Sequence, residues 1–135
     1  MGPAGMLRVY PLTLTLLLCA GCQNRPPALT AVNGKVMYRG ATLPGGLIVF
    51  TPDAGRGGSG PVAYGKIRPD GTYALYTGET EGASAGWYRV TVAALAPTQV
   101  QPVSLLPDKY RDPGLSLLNC EVKPDRVNHL DFNLD

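Results

Sequence analysis

The fold class follows from Val62–Thr77 (VAYGKIRPDGTYALYT), which has the pattern of two short strands around a tight turn. Small or apolar residues occupy every second position of 63–67, and this period of two is typical of a half-buried strand. Pro69-Asp70-Gly71 is a strong turn signal, because proline presets φ and glycine accepts a positive φ. The stretch therefore predicts a β-hairpin in which residues 62–68 pair with residues 72–77.

Similar short segments, separated by turns rich in glycine and proline, recur along the chain. The predicted strands are 32–39, 47–51, 62–68, 72–77, 87–95, 118–122 and 130–134. The second is apolar at almost every position, so periodicity does not tell which of its sides is buried. Beyond the N-terminal segment, no part of the chain has the 3.6-residue apolar stripe of a helix. We therefore expect an all-β fold, a single seven-stranded antiparallel sandwich with Greek-key connections, with a small open barrel as the alternative.

The N-terminal segment has the three parts of an export signal. A single cation, Arg8, precedes an apolar run over residues 9–18, and small residues follow the run. An apolar run of about 10–14 residues is too short to span a bilayer, which takes about 20. A cleaved signal peptide over residues 1–21 is therefore expected.

The end of this segment, Ala20-Gly21-Cys22, resembles the lipobox of bacterial lipoproteins, with Cys19 in a place where leucine is usual. The resemblance implies cleavage before Cys22 and attachment of lipid to that residue. Residues 22–31 would then form a proline-containing tether, and residues 32–135 the β-domain. The expected location is the cell envelope, with the exported protein anchored by lipid in the outer or the cytoplasmic membrane.

Composition limits the classes of partner. Outside the predicted signal peptide lie 11 of the 12 basic side chains and all 10 acidic ones. This near balance argues against nucleic acid or acidic polymers as the principal partner. Cys19 would leave with the signal peptide and Cys22 would carry lipid, so no disulfide is expected within the mature chain. The remaining cysteine, Cys120, lies in an alternating strand and is predicted to be a small buried residue.

No group of residues in the sequence has the pattern of a catalytic or metal site. His129 is the only histidine, and it has no His or Cys companion at a spacing suited to zinc. The glycine-rich loop Asp53–Pro61 lacks the Gly-Lys-Ser/Thr ending of a phosphate-binding loop. Four serines lie outside any Gly-x-Ser-x-Gly context: Ser59, Ser84, Ser104 and Ser116. We therefore predict no catalytic residue, no metal and no cofactor.

Several weak motifs occur in an order that resembles the carboxypeptidase regulatory-like domain family, in particular its short lipoprotein version in bacteria. The motifs are VNGKV (32–36), LPGG (43–46), VF (49–50), GKI (65–67), PDGTY (69–73), GWYRVTV (86–92), LPDKY (106–110), DP (112–113), VKP (122–124) and DFNL (131–134). The resemblance implies a prealbumin-like (transthyretin-like) sandwich that acts as an accessory, binding or spacer module.

The family pattern also implies that Ile48 and Phe50 face inward. Leu47 and Val49 would then face outward, and together with Trp87 they form the candidate partner surface. Such an exposed apolar patch is typical of an interaction site.

The resulting hypothesis is a lipid-anchored accessory module of the cell envelope that is not an enzyme. Its expected partners are the membrane, through the lipid, and either envelope proteins or a polysaccharide. One alternative is a transthyretin-like hydrolase, but that family needs several histidines and a closing Tyr-Arg-Gly-Ser, whereas this chain ends with Phe132-Asn133-Leu134-Asp135. Another alternative is an assembly subunit that pairs through a sheet edge. The long segment 96–113 is either a recognition loop or a cover for one sheet edge.

Overall fold

The computed structural model describes residue 2 and residues 4–5, 28–96 and 101–135. Over these residues the chain is all-β, as predicted, and its helices are two short 3₁₀ turns, Ala54–Arg56 and Asp108–Arg111. None of the helices described is long and apolar enough to cross a membrane. Cys22 and nearly all of the predicted signal peptide lie outside the described residues.

The strands of the described residues are short and are numbered in chain order. They are β1 (Leu29–Thr30), β2 (Val32–Tyr38), β3 (Ala41–Thr42), β4 (Gly46–Pro52), β5 (Ala63–Ile67), β6 (Thr72–Ala74), β7 (Tyr76–Thr77), β8 (Thr80–Glu81), β9 (Ala83–Ser84), β10 (Gly86–Ala93), β11 (Leu95–Ala96), β12 (Val103–Ser104), β13 (Leu118–Val122), β14 (Asn128–His129) and β15 (Phe132–Leu134). Each of the seven predicted strands coincides with one or more of these. The pair β1–β9 includes residues 29–30, which were predicted to belong to the tether.

The larger sheet has six antiparallel strands in the order β13-β10-β4-β5-β7-β8. Its long central strand, β10, pairs with β4 on one side and with β13 on the other. The strands β11 and β12 form a separate two-stranded sheet.

The smaller of the two main sheets is built on β2, which pairs with β3, β6, β14 and β15. The strands β14 and β15 run parallel to β2, so the prediction of purely antiparallel pairing is wrong here. The reason lies in the turn between β13 and β14. There the Asn128 side chain accepts a hydrogen bond from Lys123 N–H at 2.9 Å and donates one to Lys123 O at 3.0 Å. That turn brings the chain to the end of the domain at which β2 begins, so β14 and β15 run in the same direction as β2.

The predicted hairpin is correct at its turn and at the pair Tyr64–Tyr76, and it is wrong for β6, which lies between them. Gly71 N–H donates to Arg68 O at 2.8 Å, and Arg68 N–H donates to Thr72 O at 2.8 Å. After this turn β6 crosses to the other sheet and pairs with β2, and the chain then returns so that Tyr76 in β7 pairs with Tyr64 in β5. Alternation alone does not predict such a crossing, because it reports which side of a strand is buried and not which strand is its partner.

The core lies between the inner faces of the two main sheets. Ile48 and Phe50 are fully buried, whereas Leu47 on the same strand is exposed, so the orientation implied for β4 by the family pattern is confirmed. The ring of Phe50 lies 5.7–6.4 Å from three other aromatic rings, which belong to Tyr73, Tyr88 and Phe132. Tyr73 on β6 and Phe132 on β15 belong to the smaller sheet, so Phe50 links the two layers.

The described part of segment 96–113 packs against the domain. Leu106 and Tyr110 are buried and belong to the hydrophobic core. The Tyr110 hydroxyl donates to Asp135 Oδ1 at 2.8 Å and accepts from Asp135 N–H at 3.0 Å. The hydrogen bond from Tyr110 and the nearby positive charge of Lys109 lower the pKa of the Asp135 side chain. This segment therefore holds the C-terminus in place.

Candidate binding surface

One face of the six-stranded sheet points away from the core, and we call it the outer face. The register and the burial pattern of its strands define its residues. They are Leu47, Val49 and Thr51 on β4, Tyr64 and Lys66 on β5, Tyr76 on β7, Trp87, Arg89, Thr91 and Ala93 on β10, and Asn119 and Glu121 on β13.

The three predicted partner residues share this face but do not form one patch. Val49 lies opposite Thr91 on β10 and opposite Tyr64 on β5. Trp87 lies four positions from Thr91 along β10, about 13 Å at the usual rise per residue. The structure therefore places Leu47 and Val49 in one half of the outer face and Trp87 in the other.

The half that contains Trp87 is polar and internally paired. The Arg56 guanidinium lies over the indole ring of Trp87, 4.5 Å from the ring centroid. Asp53 is buried, and its carboxylate accepts from Gly55 N–H at 3.1 Å. The same carboxylate lies 3.4 Å from Nε of Arg89 and 3.8 Å from Nε of Arg56. These contacts hold the loop after β4 against the sheet and occupy both arginines, so this half has the features of a structural ion-pair network.

Next to this network is an open cleft of about 340 Å³ whose rim includes Leu117 and Asn119. Leu117 is 85% exposed and has a left-handed backbone, with φ of 57°. Ser116, one residue earlier, is buried and donates its hydroxyl to Val90 O at 2.7 Å. This anchored serine holds the strained residue at the start of the edge strand β13, and backbone strain of this kind costs about 1–3 kcal/mol.

The other half of the outer face contains an apolar groove, which we call the tyrosine groove. Its volume is about 510 Å³, and its lining residues are Tyr64, Gly65, Lys66, Arg68, Ala74, Tyr76, Gly78 and Glu79. Tyr64 and Tyr76 are direct neighbours on adjacent strands and are 43% and 39% exposed. The Tyr64 hydroxyl donates to Gly78 O at 3.2 Å, which holds this ring in one orientation.

Comparisons with protein-family models, curated proteins and solved structures gave no match for this chain. The groove was not among the predicted site residues. The sequence does hold a signal for it, since Tyr64 and Tyr76 fall on outward positions of the two predicted hairpin strands. The observed pair Tyr64–Tyr76 continues the register that Arg68 and Thr72 begin at the turn.

Three of the residues weighed as catalytic candidates have structural contacts. The exposed ring of His129 lies between two side chains, with Nδ1 2.8 Å from Asn33 Oδ1 and Nε2 3.2 Å from Asp131 Oδ1. Ser104 and Ser116 donate their hydroxyls to backbone carbonyl groups. Within the part of the chain that the structure describes, no three potential metal ligands lie close together.

Cys120 is partly buried on the inner side of β13, and it is unpaired. Burial raises the pKa of its thiol to about 12. We therefore expect slow alkylation of Cys120 by iodoacetamide at pH 8 in the folded protein and fast alkylation in denaturant, because the thiolate is the reactive form. Mass spectrometry of the peptide that contains Cys120 measures both rates. Equal rates in the folded and denatured protein would contradict the burial of this thiol.

The same shift predicts how stability changes with pH. The unfolded thiol ionises near pH 9, whereas the folded one stays protonated to about pH 12. Below pH 9 this residue has no effect on the pH dependence, and between pH 9 and 12 the free energy of unfolding falls because only the unfolded state loses its proton. Replacing Cys120 with alanine should remove this contribution from the slope measured by chemical denaturation.

Proposed function

We propose that this protein is a lipid-anchored binding module of the cell envelope, without catalytic activity. The observation that carries the binding role is the outer face, where Leu47, Val49, Tyr64 and Tyr76 present apolar and aromatic surface beside a groove. The export segment and Cys22 support the location. Between Cys22 and the first described residue of the domain, Ala28, lie only five residues, so the chain has a reach of about 20 Å from the lipid to the domain.

For the architecture, the proposal is a seven-stranded, prealbumin-like Greek-key sandwich of the carboxypeptidase regulatory-like type. Two main sheets with a shared core support it, and so does the coincidence of the seven predicted strands with observed ones. The inward orientation of Ile48 and Phe50 also agrees with the family pattern. The parallel pairing of β14 and β15 with β2 would be an addition to the expected antiparallel scheme.

A second candidate function, assembly with another envelope protein, is favoured by β13. This strand is at one edge of the six-stranded sheet and pairs only with β10. Such an edge is a ready template for an added strand. The exposed and strained Leu117 stands at its beginning and would provide an apolar anchor for the partner. Trp87 lies near the other end of β13, opposite Glu121.

The lipid anchor is tested by the variant Cys22→Ser. We expect this variant to leave the membrane fraction or to keep its signal peptide, because each buried CH₂ of an acyl chain contributes about 0.8 kcal/mol to membrane attachment. Cell fractionation with immunoblotting measures the location, and intact-protein mass spectrometry measures cleavage and added lipid. The matched control is Cys120→Ser, which should stay in the membrane. A cleaved Cys22→Ser protein that remains in the membrane would disprove the anchor.

A further inference from the structure

We propose that the tyrosine groove binds an extended, uncharged polysaccharide chain. This inference names the ligand class of the binding module proposed above. It rests on that function for its location, and on the groove itself for its chemistry.

Two aromatic rings lie side by side in the tyrosine groove. Tyr64 and Tyr76 are opposite each other on neighbouring strands, and side chains in such positions are about 5 Å apart at Cβ. The apolar C–H face of a pyranose ring stacks on the face of an aromatic ring, and a sheet holds its rings in place at little entropic cost. The Tyr64–Gly78 hydrogen bond adds to this pre-organisation, which improves affinity by reducing the cost of ordering.

The space beside the two rings is large enough for a ligand. The groove volume of about 510 Å³ is within the range of ligand sites. Gly65 and Ala74 also line it, and neither brings a bulky side chain into it. A larger residue at position 65 is excluded by the fold, because a Cβ there would lie 2.5 Å from Ala74 O. The close approach of Ala74 to β5 therefore requires glycine at position 65, although a side chain there would point to the core side of the strand.

The rim of the groove carries charges of both signs. Lys66 and Arg68 supply donors, and Glu79 supplies acceptors, so hydroxyl groups of a sugar would find partners of both kinds. Arg68 Nη1 already donates to Thr72 Oγ1 at 3.2 Å, which positions its guanidinium. A rim of mixed sign suits an uncharged ligand, and this agrees with the near balance of charges over the whole chain.

The test is isothermal titration of the full-length protein in detergent with two neutral oligosaccharides, chitohexaose and cellohexaose. We expect at least one of them to bind, with an affinity that changes little between low and high salt, because no ion pairs are involved. The variants Tyr64→Ala and Tyr76→Ala should each weaken binding about ten-fold. The variant Tyr76→Phe keeps its ring and should retain binding, whereas Tyr64→Phe keeps its ring but loses the bond to Gly78 O and should bind more weakly than the parent but more tightly than Tyr64→Ala. The control Leu95→Ala removes an exposed apolar side chain outside the groove and should bind like the parent.

Several results would overturn the proposal. They are the absence of binding to both oligosaccharides, binding that is unchanged in the double variant Tyr64→Ala/Tyr76→Ala, and binding confined to the acidic polymer polygalacturonate with a steep loss in high salt. Capture of a proline-rich peptide by the groove, with no oligosaccharide binding, would also overturn it, because aromatic grooves bind such peptides. The fluorescence of Trp87, the single tryptophan, checks that each variant is folded.

The two proposals fail in distinguishable ways. Oligosaccharide binding in solution does not need the lipid, so Cys22→Ser should bind as the parent does. A cleaved variant that stays in the membrane would overturn the anchor and leave sugar binding intact, whereas loss of titration signal alone would overturn the ligand class and leave the anchor intact.

Discussion

Phe50→Ala should lower the free energy of unfolding by about 3–5 kcal/mol, the usual cost of removing a large buried ring. Phe50 has no exposed surface and its ring is near those of Tyr73, Tyr88 and Phe132. Alanine would leave a cavity where the two sheets meet, and the surrounding rings belong to different strands, so they cannot all move in to fill it. Because small domains are stable by only about 5–15 kcal/mol, a large part of the total stability would be lost.

Chemical denaturation followed by Trp87 fluorescence measures this loss. The matched control is Leu47→Ala on the same strand, where the side chain is 39% exposed and faces away from the core. We expect the control to lose much less stability, since little buried area is removed. If the two variants were destabilised equally, Phe50 would not be the link between the sheets.

Gly34→Ala should destabilise the protein by about 3 kcal/mol or more, the upper range for overpacking a core. A Cβ at position 34 would overlap the carbonyl oxygen of Leu130 and would lie 2.9 Å from the Tyr73 hydroxyl. That hydroxyl donates to Leu130 O at 2.5 Å, so the added methyl group would push apart a hydrogen-bonded contact between β6 and the segment before β15. The overlapping oxygen is a backbone atom, so the backbone of β2 or of Leu130 would have to shift to relieve the contact.

The matched control for this variant is Gly45→Ala, because a Cβ at position 45 would have no atom within 4 Å. Its expected change is within about 0.5 kcal/mol, as for most surface substitutions. Thermal and chemical denaturation of both variants under the same conditions give the comparison. A Gly34→Ala protein as stable as the control would contradict the close contact between Leu130 O and β2.

Alternation along the sequence predicts the side of each strand that is buried, because successive side chains of a strand point to opposite faces. Val32 and Val36 on β2 are buried as this pattern predicts, and so are Ala63 and Ile67 on β5. For β4 the pattern is uninformative, since apolar residues occupy both sides. Its orientation is decided by what covers each face of the sheet.

The local sequence pattern does not predict which strand pairs with which. The turn at Pro69-Asp70-Gly71 forms as predicted, yet the strand after it joins β2 and not β5. The hydrogen bonds of a strand are the same whichever strand it joins, so the preference comes from burial of Tyr73 and the contacts of its hydroxyl. These are interactions between residues far apart in sequence.

The sequence by itself determined the all-β class, the positions of the main strands and turns, and the faces of the strands that alternate. It also contains the basis for the anchor hypothesis, since the lipobox-like segment is a short local motif that ends at Cys22. The tertiary structure decided the sheet order, the parallel pairing of β15 with β2 and the separation of Trp87 from Val49 on the outer face. It also decided that Ala74 of β6, a strand of the smaller sheet, lines the groove beside Tyr64 and Tyr76, because a groove is made by the packing of several segments, and a periodic pattern describes one segment at a time.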